Sequence, residues 1–285
     1  MVLFVVLFLS LVHAFVAENL SYRNSSAISF FSPYDTSQAQ ISLWLSAAAY
    51  CPTDTYLSRT FKGPTTGFVA TYHIQDTVTD TQGFVGYLPS DKSIYVSFRG
   101  STDYRNWATN LNTLKTSYTS FPECKCEVHK GFYAAEQKVI AGVVSAVKSL
   151  QSKLSGYAVK VTGHSLGAAL AQLTSMDLLK AGISNTVYDF GQPRTGDKAY
   201  SDFATARVPT WRVVHNQDQV PHLPFSTQMD FYHVCREEFE DVAGKMKTCD
   251  ASCEDTSCAA QFKFADTNWD DHSIYLGMHV GCDTV

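Results

Sequence analysis

The chain is 285 residues long and carries 22 basic and 27 acidic side chains, which give a formal net charge of −5. Apolar residues make up 45% of the chain. A chain of this length and composition can form one large domain with a sizeable core. Basic residues are scattered, whereas binding to a nucleic-acid backbone requires a basic patch. The composition therefore argues against a nucleic-acid partner, and the lack of repeats and Pro/Gly-rich linkers predicts a single domain.

The chain begins with a segment typical of secretory signal peptides. Residues 2–12 are almost entirely apolar, and this run has the length of a signal-peptide core but is too short to span a bilayer comfortably. The small residue Ala14 predicts a signal peptide of residues 1–14, although cleavage after Ala17 also fits. A buried strand or an uncleaved anchor is the alternative. We expect a secreted, extracellular domain over 15–285 with no transmembrane segment.

Apolar segments with the periods of helices and strands alternate along the rest of the chain. In chain order we predict a helix through 41–49 capped by Asp35 or Thr36, a β-hairpin pair at 67–74 and 83–88, a buried strand at 93–98, a helix over 131–154, a strand at 157–161, a helix from 168, a strand at 186–190, a helix near 197–206 and a strand at 211–215. Strands that alternate with helices predict an α/β fold whose mostly parallel sheet is covered on both faces. The early hairpin indicates mixed strand directions at one edge.

The segment Gly163-His164-Ser165-Leu166-Gly167 fits the G-x-S-x-G pattern of a nucleophile elbow. A β-prone run precedes it and a strongly helix-forming run follows it. A sharp turn at this junction would present the Ser165 hydroxyl, and the following helix would direct its free N–H groups, among them that of Leu166, toward an oxyanion. The alternative is a serine in an ordinary glycine-rich turn. We interpret Ser165 as the nucleophile of a serine hydrolase.

A serine nucleophile needs a base and a carboxylate that orients the base. In sheets of this kind both groups lie on loops at the carboxyl ends of later strands. Asp218 follows the predicted strand at 211–215 and is our candidate for the carboxylate. Asp189 lies inside an apolar strand, and Asp197 is better explained as a helix N-cap.

His272 is our candidate for the base. It lies late in the chain among polar residues, and it gives the order Ser, Asp, His that is typical of hydrolases of this general type. His215 lies within a strand, where a packed or hydrogen-bonded core role is the better interpretation. The remaining candidates have weaker contexts; they are His129, His222, His233 and His279.

Seven segments in this order resemble the class 3 lipases, the group of filamentous-fungal lipases and feruloyl esterases. They are 99–101, 106–107, 126–132, 161–167, 189–196, 216–221 and 271–277. The likeness runs from about residue 41 to residue 282, which is nearly the whole mature chain. Each motif is weak by itself, but the full ordered set is highly specific.

The resemblance implies an α/β-hydrolase-like fold, in which helices flank a central, mostly parallel mixed sheet. It implies Ser165, Asp218 and His272 as a catalytic triad. It also implies that Ser101 contributes an oxyanion donor beside Leu166. Neither a metal ion nor an organic cofactor is implied.

Residues 102–112 resemble the family's lid, the segment that covers the active serine. Tyr104, Trp107 and Leu111 have the spacing of one helical face, and they would cover the acyl pocket in a closed state and face lipid in an open one. An ordinary amphipathic surface helix is the alternative. The remaining positions are mostly polar; they include Asp103, Arg105, Asn106 and Asn110.

The cysteine content also indicates secretion. The chain has eight cysteines, an even number consistent with disulfides in an oxidising compartment. Cys249, Cys253 and Cys258 lie in a polar loop that resembles a zinc cluster, but no histidine lies at ligand spacing, and we expect no metal. Sequons at Asn19 and Asn24 predict a glycoprotein.

The resemblance bears on only part of the disulfide pairing. It places the first helix beside the C-terminus and so implies a Cys51–Cys282 bond. A Cys124–Cys126 bond is our suggestion for the neighbouring pair, although the family tends to have a slightly wider spacing there. Residues 236–258 form an insert rich in cysteine and acidic residues that does not map onto the family, and its role is open.

Together these features predict a secreted serine hydrolase that cleaves acylglycerol esters, a triacylglycerol lipase working as a monomer at an oil–water interface. One alternative is an esterase for feruloylated polysaccharide or other soluble esters, or a phospholipase. A more distant alternative is a non-catalytic binding module with the same fold. Chain length and head-group preference are not readable from the sequence.

Overall fold

A mixed β-sheet forms the centre of the protein. The computed structural model describes residues 33–285, so the predicted signal peptide and the two sequons lie outside the described residues. The strands are β1 Val69–Asp76, β2 Thr81–Leu88, β3 Ser93–Phe98, β4 Lys115–Ser117, β5 Glu127–His129, β6 Ala158–His164, β7 Thr186–Phe190, β8 Thr210–His215, β9 Glu237–Glu240, β10 Met246–Thr248, β11 Ile274–Tyr275 and β12 Met278–His279. The helices are α1 Thr36–Ala48, α2 Tyr104–Thr109, α3 Lys130–Gln151, α4 Leu166–Lys180, α5 Lys198–Thr205 and α6 Ser226–Met229.

The main sheet has the strand order β1-β2-β3-β6-β7-β8-β9-β10. The strands from β3 to β9 in this order run parallel to one another. The β1–β2–β3 edge and the β9–β10 edge are antiparallel. The mostly parallel sheet and the mixed edge at the early hairpin are therefore confirmed. The two short pairs β4–β5 and β11–β12 lie outside this sheet.

Helices cover both faces of the sheet, as the alternation of side chains along β3 illustrates. Ile94, Val96 and Phe98 belong to the core formed with α3 and α4. Tyr95 points to the other face and belongs to the core formed with α1. Successive side chains of a strand point to opposite faces, so a fully buried strand such as this one lies between two helical layers.

Asp35 caps α1, as predicted, and accepts a hydrogen bond from the Ser37 N–H at 2.8 Å.

The cysteine-rich insert extends the sheet, a role that the sequence does not predict. The four residues of β9 (Glu237–Glu240) are all buried, although acidic side chains are depleted in strands. Each of the three glutamates has a specific partner, and that of Glu240 is the Leu276 N–H at 2.8 Å. Glu237 forms an ion pair with the fully buried Arg212 at 3.3 Å, and Glu238 accepts the Thr248 hydroxyl at 2.7 Å.

The three cysteines of the polar loop are all paired in disulfides. The bonds are Cys235–Cys253 and Cys249–Cys258. A salt bridge also fastens this loop, because Glu254 accepts two N–H groups of Arg194 at 2.8 and 2.7 Å. Arg194 lies on the loop after β7, so the insert is fixed to the main body of the fold.

The remaining disulfides are Cys51–Cys282, which the resemblance implies, and Cys124–Cys126. The first connects the end of α1 to the C-terminal segment. Among residues 33–285, no helix is both long and apolar enough to cross a membrane. The sheet order and its two helical layers are those of an α/β-hydrolase-like fold, in agreement with the expectation.

Candidate active site

Ser165 lies in the sharp turn between β6 and α4. Its φ is +61° and its ψ is −130°, a conformation that L-residues rarely adopt. The side chain is fully buried, and the backbone N–H donates to the Phe190 carbonyl at 2.9 Å. The turn therefore has the strained geometry expected of a nucleophile elbow.

Two glycines allow this turn. A Cβ at Gly163 would lie 2.2 Å from the Gly167 carbonyl oxygen, and a Cβ at Gly167 would lie 2.4 Å from that of Phe98. Both contacts are shorter than any side chain tolerates. The glycines of the motif thus permit the close approach of β3, the turn and α4.

His272 and Asp218 form a buried hydrogen-bonded pair. His272 Nδ1 donates to Asp218 at 2.8 Å from Oδ2 and 3.0 Å from Oδ1, and both side chains are fully buried. Since Nδ1 carries the proton shared with Asp218, Nε2 is left free to accept one. The structure thus brings together the two residues predicted as base and carboxylate, which are 54 positions apart.

Asp218 is held in its ionised form by its neighbours. Burial alone would raise the pKa of this carboxyl, but His272, the Tyr275 hydroxyl and the Val220 N–H together outweigh burial, and the net pKa is lowered. Val220 N donates at 2.8 Å, and the fully buried Tyr275 hydroxyl donates to Oδ2. The sequence analysis does not predict this role of Tyr275. The available signal is its position three residues after His272, in a short apolar segment.

The ring of His164, the residue before Ser165, lies 4.5 Å from the ring of His272 between centroids, but the side chains of Ser165 and His272 are not hydrogen-bonded to each other. Ser165 Oγ and His272 Nε2 are both buried and have no partner among residues 33–285. Gly191 lies against His272 and Asp218, since a Cβ there would be 2.9 Å from both His272 Cε1 and Asp218 Oδ2. In uncomplexed enzymes such hydrogen bonds are often long and tighten only with substrate.

His164 supports the backbone of His272. Its Nε2 donates to the His272 carbonyl at 2.8 Å, so its Nδ1 must be the acceptor for the Tyr50 hydroxyl, also at 2.8 Å. Burial, assisted by the neighbouring His272, lowers the pKa of His164 to about 3. The neutral tautomer is therefore fixed, and this residue is not available as a base near neutral pH.

The loop after β3 lies beside Ser165. A Cβ at Gly100 would be 2.9 Å from Ser165 Cβ, and Ser101 is the next residue in the chain. Arg99 fixes this loop, because its guanidinium donates to the Gly100 carbonyl at 3.1 Å and pairs with Asp80 at 2.7 Å. Leu166 is the first residue of α4, and N–H groups in the first turn of a helix have no partner within the helix.

The segment predicted as a lid forms the short helix α2, capped by Asp103. Tyr104 lies edge-on to His272, with ring centroids 5.0 Å apart, and Trp107 stacks on Phe132 at 6.1 Å. Leu111 packs against the main core but lies beyond the end of α2, so the three apolar residues do not share one helix. They are half-buried, while the polar residues between them are exposed.

The other candidates have structural roles. His215 Nδ1 donates to the Asp271 carbonyl at 3.1 Å, in line with the hydrogen-bonded core role. Asp189 is fully buried within β7, where burial raises its pKa well above the usual range. Asp197 caps α5 and accepts the Tyr200 N–H at 2.8 Å, as predicted.

The fold and this site define a protein of the α/β-hydrolase class with a serine elbow. A family model described as "Lipase (class 3)" matches residues 95–228. A lipase of Rhizomucor miehei is 34% identical over 215 residues, which cover 73% of this chain and 58% of that protein. A secreted alkaline triacylglycerol lipase of Penicillium cyclopium is 31% identical over 203 residues, covering 67% of this chain and 69% of that protein.

A solved structure gives the same result. A triacylglycerol lipase whose catalytic centre is described as a serine protease triad superposes with a TM-score of 0.81 at 29% identity, covering 88% of this chain and 97% of the other. The chain belongs to the class 3 lipase family. Its matched region spans little more than half the length of the Rhizomucor lipase.

Proposed function

We propose that this chain is a secreted serine hydrolase that cleaves carboxylic esters of acylglycerols through an acyl-enzyme on Ser165. The observation that carries the proposal is the buried His272–Asp218 pair beside a strained, buried serine at the N-terminus of α4. Similarity to relatives named as lipases supports the acylglycerol substrate. The secretory prediction for residues 1–14 and the relative named as secreted support an extracellular location for the domain at 15–285.

In the proposed mechanism His272 acts as the base. Its Nε2 takes the Ser165 proton as the hydroxyl attacks the ester carbonyl, and then returns that proton to the leaving alcohol. Asp218 keeps the proton on Nδ1 and stabilises the imidazolium that forms. Water attacks the resulting acyl-enzyme by the same route, with His272 again as base.

The oxyanion of each tetrahedral intermediate needs donors that are already in place. The Leu166 N–H at the start of α4 is one, and Ser101 supplies the second through its N–H and hydroxyl. Loss of one such donor typically costs on the order of 3 kcal/mol of transition-state stabilisation. The contacts of Arg99 support this assignment. Arg99 pairs with Asp80 and donates to the Gly100 carbonyl, and so fixes the loop that carries Ser101.

We further propose that residues 102–112 act as a lid. Tyr104 lies over His272 in the described conformation, so substrate must displace it. Opening exposes the half-buried faces of Trp107 and Leu111, and an oil–water interface offsets this exposure at roughly 25 cal/mol per Å² of apolar surface removed from water. The lid helix has only six residues, so the jump in rate above substrate solubility should be modest.

Hydrolysis of dissolved butyrate esters and of emulsified triacylglycerol by the wild type, Ser165→Ala and His272→Ala tests the proposal. We expect turnover of both substrates by the wild type, and nearly complete loss in both variants at unchanged circular dichroism. Substantial turnover by folded Ser165→Ala would place the nucleophile elsewhere. The exposed polar residues of the lid favour a soluble-ester esterase as the second candidate, and brisk hydrolysis of dissolved aromatic esters without activity on emulsions would select it.

A further inference from the structure

One carboxylate connects the two loops that carry Asp218 and His272. Asp271 Oδ2 accepts three hydrogen bonds, from Asn216 Nδ2 at 2.9 Å, from the Gln217 N–H at 3.0 Å and from Asn268 Nδ2 at 2.9 Å. Its side chain is 18% exposed, so these bonds are mostly shielded from water. Asp271 belongs to none of the roles assigned above.

The residues joined by these hydrogen bonds are the immediate sequence neighbours of Asp218 and His272. Asn216 and Gln217 directly precede Asp218, and Asp271 directly precedes His272. Asp271 Oδ2 therefore fastens the loop after β8 to the turn that carries the histidine, within two residues of each member of the buried pair.

Backbone contacts around Asp271 reinforce the connection. The Asp271 N–H donates to Asn268 Oδ1 at 2.9 Å, and the Asp271 carbonyl accepts from His215 Nδ1 at 3.1 Å. The Asn268 backbone pairs with the Asp218 loop, since its N–H donates to the Gln217 carbonyl at 2.8 Å. The Asp271 carboxylate and carbonyl thus contact residues 215–217, while its N–H holds the turn at 268–271 together.

The loop after β8 needs such support. Asn216 has a φ of +41°, a left-handed conformation that costs free energy in residues other than glycine and is best tolerated by asparagine. Its side chain donates to Asp271, which holds this turn in place. Without that bond the loop can relax and carry the neighbouring Asp218 with it.

We propose that Asp271 is a positioning residue that sets the distance and orientation of the Asp218–His272 pair. The catalytic consequence rests on the proposed function. Displacing a catalytic group by about 1 Å can lower a rate ~100-fold, whereas loss of an ordinary surface turn affects only stability. Asp271 acts on the reaction only through Asp218 and His272 and does not touch Ser165.

The test compares Asp271→Ala with Asp271→Asn. Alanine removes all three acceptor contacts, while asparagine retains one carbonyl oxygen that can occupy the Oδ2 position. Asp255→Ala is the matched control, because Asp255 also accepts three hydrogen bonds, all from within residues 250–257. Two experiments are made on each variant. Steady-state kinetics on a dissolved ester gives kcat and KM, and NMR records the downfield proton resonance of His272 Nδ1, assigned by its loss in His272→Ala.

We expect Asp271→Ala to lower kcat ~10- to 100-fold with little change in KM, and to weaken or shift the Nδ1 resonance. Asp271→Asn should retain the resonance and most of kcat, and Asp255→Ala should retain both even if its melting temperature falls. A folded Asp271→Ala protein with the kcat and resonance of the Asp255→Ala control would overturn the proposal.

Two further variants keep the test decisive. If Asp271→Ala does not fold, Asn216→Gly removes one of the two donors that connect the loops, and glycine readily adopts the φ of +41° at this position. An intermediate loss of kcat with a shifted resonance supports the proposal, and wild-type values overturn it. Ser165→Ala separates the two claims. If that variant remains active, the proposed function fails, whereas the resonance still reports whether Asp271 positions the pair.

Discussion

Replacing Tyr275 by Phe removes one hydroxyl group from the buried side of Asp218. The hydroxyl donates to Oδ2, and Asp218 keeps its bonds to His272 Nδ1 and to the Val220 N–H. The ring itself is retained, including its edge-on packing against Phe190 at 5.8 Å. The substitution therefore tests one hydrogen bond to a buried carboxylate with almost no change in packing.

The size of the effect follows from the charge and the burial. A hydrogen bond to a charged group contributes about 1.5–3 kcal/mol to stability, so Tyr275→Phe should lower the free energy of unfolding by about 2 kcal/mol and Tm by ~4–8 °C. If about 1.4 kcal/mol of that loss also reaches the transition state, kcat falls tenfold. Asp218 would still orient His272, so activity should be reduced but not abolished.

The effect should depend on pH in a definite direction. The pKa of Asp218 is lowered below its ordinary value of 3.8 because its hydrogen-bond and charge partners outweigh burial. A lowered carboxyl pKa stabilises the folded protein above the unfolded pKa, and this stabilisation is lost as the pH falls through the folded pKa. The difference in stability between wild type and Tyr275→Phe should thus be largest near neutral pH and shrink in acid.

Urea unfolding and ester hydrolysis across this pH range check the prediction. Tyr118→Phe is the matched control, because Tyr118 is also buried but its hydroxyl has no hydrogen-bond partner among the described residues. That variant should be close to wild type. Equal effects of the two substitutions, or a Tyr275→Phe effect that does not change with pH, would refute the reasoning about Asp218.

Two further predictions concern the lid and a buried acidic pair. Trp107→Ser, which removes the stack on Phe132, should lower the rate on emulsified triacylglycerol by a larger factor than the rate on dissolved butyrate esters; equal losses would mean that Trp107 lines the pocket or is only structural. Burial and the nearby Asp177 raise the pKa of Glu136 well above its usual value, so the folded protein loses stability as the pH rises through that raised pKa. Glu136→Gln should therefore raise Tm by roughly 2 to 4 °C at mildly alkaline pH and much less in acid, and a pH-independent change in Tm would contradict this origin.

Much of the fold can be predicted because its strands are short apolar runs in an unambiguous order. The hairpin, β3, β6, β7 and β8 are all found where hydrophobic periodicity predicts them, within a few residues. The strand β9 is not predictable in this way, since its sequence Glu-Glu-Phe-Glu has little strand propensity. Its acidic side chains are satisfied by partners outside the strand: Arg212, 25 residues away, pairs with Glu237, and Thr248 on the adjacent strand β10 donates to Glu238.

In the candidate site, too, the local features are predictable from the sequence and the contacts between distant segments are not. The elbow at Ser165 is local, so the glycines and the helix-forming run that define it are visible in a few consecutive residues. The His272–Asp218 pairing is a contact between distant segments, and spacing alone left several histidines as alternatives until the family resemblance reduced them. The contacts of Asp271 and Tyr275 depend on how two loops meet after folding, which no local pattern encodes.

Covalent labelling of the serine tests the central claim most directly. A serine-directed alkyl phosphonate is incubated with the wild type and with His272→Ala, and the modified residue is located by peptide mass spectrometry. We predict a single adduct on Ser165 in the wild type and a greatly slowed reaction in His272→Ala, because the hydroxyl is nucleophilic only when the base takes its proton. An adduct on another serine, or labelling of Ser165 at the same rate without His272, would contradict the account.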